Sequence, residues 1–345
     1  MKLYAIVIET HSGFGTPLKG DTLFGQFCWE VAMDPRLIGR SLDECLESYK
    51  EKPFVVFSSA FPRIPDDSGT LVVALRRPAF PVKLNSLKLP GNRCERFLKL
   101  KEEKKKRYFV CECKGVPIDF SSLEFLTETQ LMERVKQGSS DDRRSLSGEE
   151  VRFEYLSQQP HNTINRLSGT TGAPPFAPYS LEVRYYPEGS QLVVLALIDD
   201  TVLDIRSLIK GINRIGCFGF GKDASTGKGK FRVVEDIELP FFDTSNADGC
   251  YTLSPCVPDT DDFKKFYFTP FIRFGRHGNL FARANNPFKN PVIMADEAAV
   301  FIPAKKSVFD TPFIGRAVNG VSKVEPRTVV QGYSIYLPIN MENTK

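Results

Sequence analysis

The densest set of residues able to hold an anion is Gly219-Phe-Gly-Lys-Asp-Ala-Ser-Thr-Gly-Lys-Gly-Lys-Phe231. Gly219, Gly221, Gly227 and Gly229 free the backbone, because a Cβ would block both positive-φ conformations and the close approach of main-chain N–H groups that makes an anion nest. Lys222, Lys228 and Lys230 add charge, and Ser225 and Thr226 add hydroxyl donors. None of these carries base information, so the expected readout is of a phosphate backbone. A triphosphate-binding P-loop needs four residues between Gly and Gly-Lys-Ser/Thr, whereas five separate Gly221 from Gly227 and Gly229 follows Lys228. Gly219, Gly221 and Ala224 satisfy G-x-G-x-x-A, but a dinucleotide fingerprint follows a strand and opens a helix. Here the expected context is reversed. An ordinary flexible glycine turn is the alternative reading.

Two further stretches carry donors. In Leu18-Lys-Gly-Asp-Thr-Leu-Phe-Gly25, Lys19 and Gly20 stand where a strand hands over to a helix, whose unpaired N–H groups and dipole attract phosphate. The same residues also read as a plain cap, with Asp21 opposing an anion. His161-Asn-Thr-Ile-Asn-Arg-Leu-Ser-Gly-Thr-Thr-Gly172 is bounded by Pro160 and by Pro174-Pro175. Its His161, Asn162, Asn165 and Arg166 suit sugar and phosphate contacts, and an unliganded polar loop is the alternative.

Catalysis and metal binding find less support. Metal-free RNA cleavage wants an acid and a base placed together, and nothing in the sequence pairs His11, His161 and His277. Asp199-Asp200 and Asp259 to Asp262 lack a matching glycine-rich or histidine context and read as solvated turns. Cys111 and Cys113 alternate along a strand, which puts both thiols on one face. With no second close pair among the 8 Cys, no metal ligand is assigned and no cofactor is expected.

The elements that must position these residues follow from apolar periodicity. Lys2 to Glu9 is apolar on both faces and reads as a strand lying centrally in a sheet. A helix over 21–33 with Asp21 as its cap, a short helix over 41–50 and a strand over 54–57 come next. From about 78 to 178 the pattern loosens into an insertion, with one helix over 123–136. Within it, Arg93 to Arg107 is the densest basic run, read either as a solvated loop or hairpin face or as a phosphate contact. Strand-like runs over 181–198, a helix from Asp204 to about Ile215 and a strand over 231–237 complete a β-α-β-β-α-β unit of the ferredoxin-like kind. Residues 1–238 form this first domain. Residues 239–345 form a second, irregular β-rich one, with runs at 266–274, 300–302 and 332–339.

With 345 residues, 41% of them hydrophobic, the chain has ample material for two cores. A formal charge of only +4 means that any basic surface is local. No apolar run approaches the roughly 20 residues of a membrane-spanning helix. The cysteine usage and the early first strand point to a reducing cytoplasm.

In this order, the Lys-Gly-Asp-Thr-Leu-Phe-Gly-Gln-Phe-Cys-Trp29 segment, the His161 to Gly172 segment and the Gly219 to Phe231 loop resemble the repeat-associated RAMP proteins. Within that superfamily they are similar to the fourth Csm subunit of type III-A CRISPR interference complexes. Gln331-Gly-Tyr-Ser-Ile-Tyr336 adds a fainter echo. The resemblance implies an α+β protein of two ferredoxin-like (RRM-like) domains, the first with a large insertion. It implies a non-catalytic subunit of a hetero-oligomeric ribonucleoprotein in antiviral defence. Such a subunit would bind the 5′ repeat-derived handle of crRNA and contact a large palm-domain subunit and a backbone RAMP subunit. By that likeness the glycine loop, Lys19 and Arg166 touch the handle, and part of the insertion is a thumb that bends the RNA. An endoribonuclease that processes precursor crRNA is the alternative.

Overall fold

In the computed structural model, residues 1–80, 91–119, 123–137 and 152–341 are described. The expected insertion therefore lies partly outside the described residues, at 81–90, 120–122 and 138–151. Strand β1 (Lys2–Thr10) has Leu3 to Ile8 all buried. A strand apolar on both faces needs cover on both, and α1 (Gly20–Met33) supplies part of it through Leu23, Phe24, Phe27 and Val31. A short α2 (Leu42–Glu47) leads into β2 (Val55–Ile64).

The segment after β2 departs from the expected insertion. β3 (Val72–Arg76) and β4 (Tyr108–Glu112) are strands of the main sheet, and the basic run between them is a helix, α3 (Arg93–Lys105). Lys, Glu and Arg are all good helix formers, and Asn92 caps the first turn by accepting from the Cys94 amide at 3.0 Å. The two-residue β5 (Ile118–Asp119) and β6 (Phe125–Leu126) follow, so the helix expected over 123–136 starts later, as α4 (Glu128–Gln137). β7 (Tyr155–His161) and β8 (Tyr179–Tyr185) form a separate antiparallel hairpin. β9 (Gln191–Ile198), α5 (Ile205–Phe218) and β10 (Phe231–Leu239) then return to the sheet, with the Asp204 side chain accepting from the Ser207 amide to cap α5.

The main sheet has seven strands in the order β10-β1-β9-β2-β3-β4-β6. β1 runs antiparallel to both β10 and β9, and β9 runs antiparallel to β2. β1-α1-β2 and β9-α5-β10 thus interleave, which places the loop between α5 and β10 beside the loop between β1 and α1.

The remainder is built from β11 (Gly249–Thr252), β12 (Phe263–Tyr267), β13 (Pro270–Arg273), β14 (Val292–Ala295), β15 (Val300–Pro303), β16 (Phe313–Gly315) and β17 (Tyr333–Asn340). β12-β15-β11-β17-β16 make a second sheet, which β5 joins by pairing parallel to β17. This half is β-rich as expected. Among its described residues there is no α-helix, only short 3-10 turns, so the two helices of a complete second ferredoxin-like unit are not found there. Pro255, Pro258, Pro270, Pro287, Pro291, Pro303 and Pro312 break it into short runs that form strands and turns.

The two sheets share one core, in which Tyr251, Leu253, Tyr333 and Leu337 join the strands of the first. Gln331 is central to that junction. β2 is bulged between Phe57 and Ala60, and the Ser58 hydroxyl accepts the Leu195 amide there at 2.7 Å. The fully buried Gln331 side chain accepts from Phe57 N at 2.9 Å and donates to Phe57 O at 2.7 Å. Gln331→Ala would strand two buried backbone groups and is expected to cost about 2–4 kcal/mol. Urea unfolding measures this, and an unaltered midpoint would deny Gln331 its role.

Candidate nucleic-acid interface

The glycine loop leaves α5 at Gly219 and enters β10 at Phe231, and its glycines serve its own fold. Gly219, Gly221, Gly227 and Gly229 all have positive φ, between 72° and 109°. At Gly229 a Cβ would also sit 2.2 Å from Phe220 O, where the two ends of the loop cross. Most amides of the expected anion nest are taken up by the protein itself. The amides of Gly219, Phe220, Thr226, Gly227 and Lys228 bond to carbonyls within α5 and the loop. Gly221 N donates to Gln26 Oε1 at 3.1 Å, Lys222 N to Thr16 Oγ1 at 2.9 Å, Gly229 N to Gly13 O at 2.8 Å and Lys230 N to Ser12 Oγ at 2.8 Å. These amides are therefore committed and do not cradle a ligand.

What the loop presents is side chains. Lys222, Ser225, Thr226 and Lys230 are exposed, and Lys228 is half-buried. Lys230 Nζ donates to Cys217 O at 2.9 Å, closing the end of α5. Lys228 Nζ donates to the Tyr185 hydroxyl at 3.0 Å and lies 5.3 Å from the ring centroid, which ties the loop to the base of the β7–β8 hairpin.

Lys19 and Gly20 do not join this surface. Lys19 Nζ is held by Asp296 at 2.5 Å and Glu297 at 2.6 Å, and its side chain is only 12% exposed. A Cβ on Gly20 would lie 2.2 Å from Phe57 O, so this glycine permits close packing against β2. Asp21 is not a cap either, since its carboxylate takes a two-pronged bond from Arg273 at 2.5 and 2.8 Å. Burial pushes the Glu297 carboxyl up, but Lys19 and Arg76 outweigh it and hold it below the ordinary range. Burial and the neighbouring Glu297 charge push Asp296 above its own. The α1 terminus expected to receive a phosphate is an ion-paired joint between the two halves.

The third stretch forms the end of the hairpin. Asn162 and Arg166 are exposed there, while Asn165 folds the turn by accepting the Leu167 amide at 2.9 Å. By register, Tyr155, Gln159, His161, Tyr179 and Tyr185 share one hairpin face. Tyr155 stacks on Tyr185 with centroids 5.4 Å apart, and His161 stacks on Tyr179 at 5.5 Å. The two stacks are six residues apart along the strand, roughly 20 Å. Arg166 and Lys228 thus lie at opposite ends of one aromatic face. The three tyrosines and Gln26 went unread in the sequence, because their roles depend on partners found only in the folded chain.

The histidines are dispersed. His11 lies 3.8 Å from Glu9, His161 is in the stack, and His277 is buried with Nε2 at 2.7 Å from Ser322 Oγ. Cys111 in β4 and Cys113 just after it are both buried. Among the described residues no group of three or more His, Cys, Asp or Glu is placed to hold a metal.

Two sheets sharing one core, with a lysine-bearing loop against the base of a projecting aromatic hairpin, define a mixed α+β scaffold. No family model and no curated protein matches the chain. Solved structures match it in fold over nearly its whole length. A chain of the Csm1–Csm4 cassette in complex with pppApA matches over 99% of this chain and 98% of that one, with a TM-score of 0.53 at 16% identity. A Csm3–Csm4 subcomplex of the type III-A CRISPR-Cas interference complex matches over 99% and 100%, with a TM-score of 0.55 at 16% identity. Csm4 is the component named in both assemblies. The mixed α+β fold observed is thus shared with chains of these assemblies over nearly its whole length.

The place of Lys19 is open to test. Lys19→Ala would leave buried carboxylates short of a partner and is expected to cost about 3 kcal/mol of stability. Any affinity of the folded fraction for RNA should stay at the wild-type value. Thermal unfolding beside a binding titration checks both, and weaker binding at full stability would return Lys19 to the interface.

Proposed function

We propose that the chain is a Csm4-type RAMP subunit of a type III-A CRISPR-Cas interference complex, and that it grips the 5′ handle of crRNA without cleaving it. In this reading the interleaved β-α-β units are the ferredoxin-like domain, the β-rich half replaces the second one, and the β7–β8 hairpin is the thumb. One observation carries the reading: Lys228 is bonded to Tyr185 at the base of a hairpin that holds the Tyr185–Tyr155 stack, Gln159 and the His161–Tyr179 stack on one face. Cations beside stacking rings suit the backbone and the unpaired bases of a single strand. In this reading the lysine side chains are the main holders of the phosphates.

The partners in this reading are of the Csm1 and Csm3 kind, which the solved assemblies combine with Csm4. They would act as the large palm-domain subunit and the backbone subunit, in a cytoplasmic hetero-oligomer. The processing-endonuclease reading needs an acid and a base side by side, whereas the three histidines have separate surroundings.

Replacing Lys222 and Lys228 together by Ala is expected to weaken binding of a handle-containing RNA. It should also flatten the dependence of log K on log salt by about 0.7 per lost phosphate contact, about 1.4 in all. An unchanged slope would remove the loop from the interface. Cleavage of repeat RNA that His161→Ala abolishes would install the endonuclease reading instead.

A further inference from the structure

Helix α3 takes no part in that interface, yet it is the most cationic element of the chain. It spans thirteen residues, none of them buried, and carries Arg93, Arg96, Lys99, Lys101, Lys104 and Lys105. Its carboxyl end is fixed to the sheet. The Arg77 guanidinium donates to Glu103 O at 2.7 Å and to Lys106 O at 3.3 Å, and rests 4.6 Å from the Phe125 ring centroid. The rest of the helix stands away from the sheet, with Phe97 68% and Leu98 58% exposed. An isolated helix of this length is marginal in water, since most helical stability comes from packing a face. α3 therefore displays a face that nothing in the described chain covers.

The composition of that face selects its partner. At about 100° per residue, Phe97, Lys101, Lys104 and Lys105 fall within an arc of roughly 100°. All four are exposed. Glu103 points away from this arc and pairs with Lys106 at 2.6 Å, and the exposed Glu102 lies about 60° beyond the Lys105 edge, so no carboxylate falls inside the arc itself. A membrane-lying helix would need a wide apolar stripe, and here lysines flank one ring with Leu98 at the edge of the arc. Three ammonium groups around an exposed phenyl ring fit a polyanion with π faces: phosphates on the lysines and an unpaired base on Phe97.

We propose that α3 is a second contact for single-stranded RNA, separate from the glycine-loop face. The separation follows from topology. The glycine loop joins β10 beside β1, whereas α3 connects β3 to β4, and four strand steps of about 4.8 Å put roughly 19 Å of sheet between β1 and β4. One RNA segment on the loop and another on α3 would straddle the sheet. The inference does not depend on which RNA the loop holds.

The test uses the full chain and a labelled oligouridylate, titrated at several salt concentrations. Changing Lys101, Lys104 and Lys105 together to Ala is expected to weaken binding and to flatten the salt slope by about 2, at about 0.7 per contact. Phe97→Ala should weaken binding about tenfold and leave the slope alone, as loss of a stacked base does. Circular dichroism of each variant checks that α3 persists. Affinity and slope at wild-type values in both variants would overturn the proposal. So would variants that keep RNA binding but lose an acidic protein partner or binding to anionic vesicles, since the face would then serve that partner. The Lys222 and Lys228 double variant, measured in parallel, separates the two sites: a response there with none at α3 sinks this inference alone, and the reverse sinks only the loop reading.

Discussion

The structure turns on charges buried where α1 begins. Lys19 is clasped by Asp296 and Glu297, Arg76 reaches Glu297 at 3.2 Å, and Arg273 grips Asp21. The Phe271 ring lies between Lys19 and Arg273, at 4.8 and 4.7 Å from its centroid. Each charge taken from water costs several kcal/mol unless its partners are in place, so a slipped arrangement of the two halves would strand several at once. Apolar packing brings the sheets together, and this network fixes their register. Gln26 stands on the same helix, its Nε2 donating to Gly219 O at 2.9 Å and its Oε1 accepting from Gly221 N. α1 therefore refers the glycine loop to the same frame that seats the β-rich half. The loop is stiffened from outside itself.

Whatever could be argued from local pattern was legible in the sequence. The all-apolar run of β1, the stripe Leu208, Ile212 and Ile215 of α5, and the glycine loop between a helix and a strand fall where periodicity puts them. Long-range pairing was illegible, and the candidate site was misread through it. The loop amides were expected to be bare because Gln26 and Thr16 lie 195 and 206 positions away, and Lys19 was expected to be free because its acids follow 277 and 278 positions later. Donors and cations look available in a sequence whenever their partners are distant. α3 failed for a different reason, since charge was allowed to speak for a loop when the same Lys, Glu and Arg are good helix formers.

The low identity to the solved chains has a physical reading. A fold of this kind asks for buried apolar strands in a given order, for glycines where φ is positive and for a few buried polar ties. It tolerates wide change elsewhere. Gln331 is one such tie: its amide replaces the partner that the β2 bulge denies to Phe57, and the Gln331 to Tyr336 stretch is where the sequence showed its faint carboxyl-terminal echo. That echo lies in the core, whereas the hairpin end and α3 are exposed. A reading of function from resemblance is thus firmest for the scaffold and weakest for the surface.

The same distinction bears on how a chain with a charge of only +4 could hold a polyanion. The global field is too weak to steer one, so binding has to come from cations that are both exposed and clustered. Lys19 and Arg273 are spent inside the protein, Arg76 is paired with Glu297, and Lys230 and Lys228 each give one bond to a carbonyl or a hydroxyl. Counting lysines in a motif therefore overstates its charge. Lys222 on the loop that Lys228 ties to the aromatic hairpin, and Lys101, Lys104 and Lys105 of α3 around Phe97, are among the cations that remain at the surface after the fold has taken its share. Both stand next to rings, so any affinity they supply would combine a salt-dependent part with a stacking part that salt does not screen.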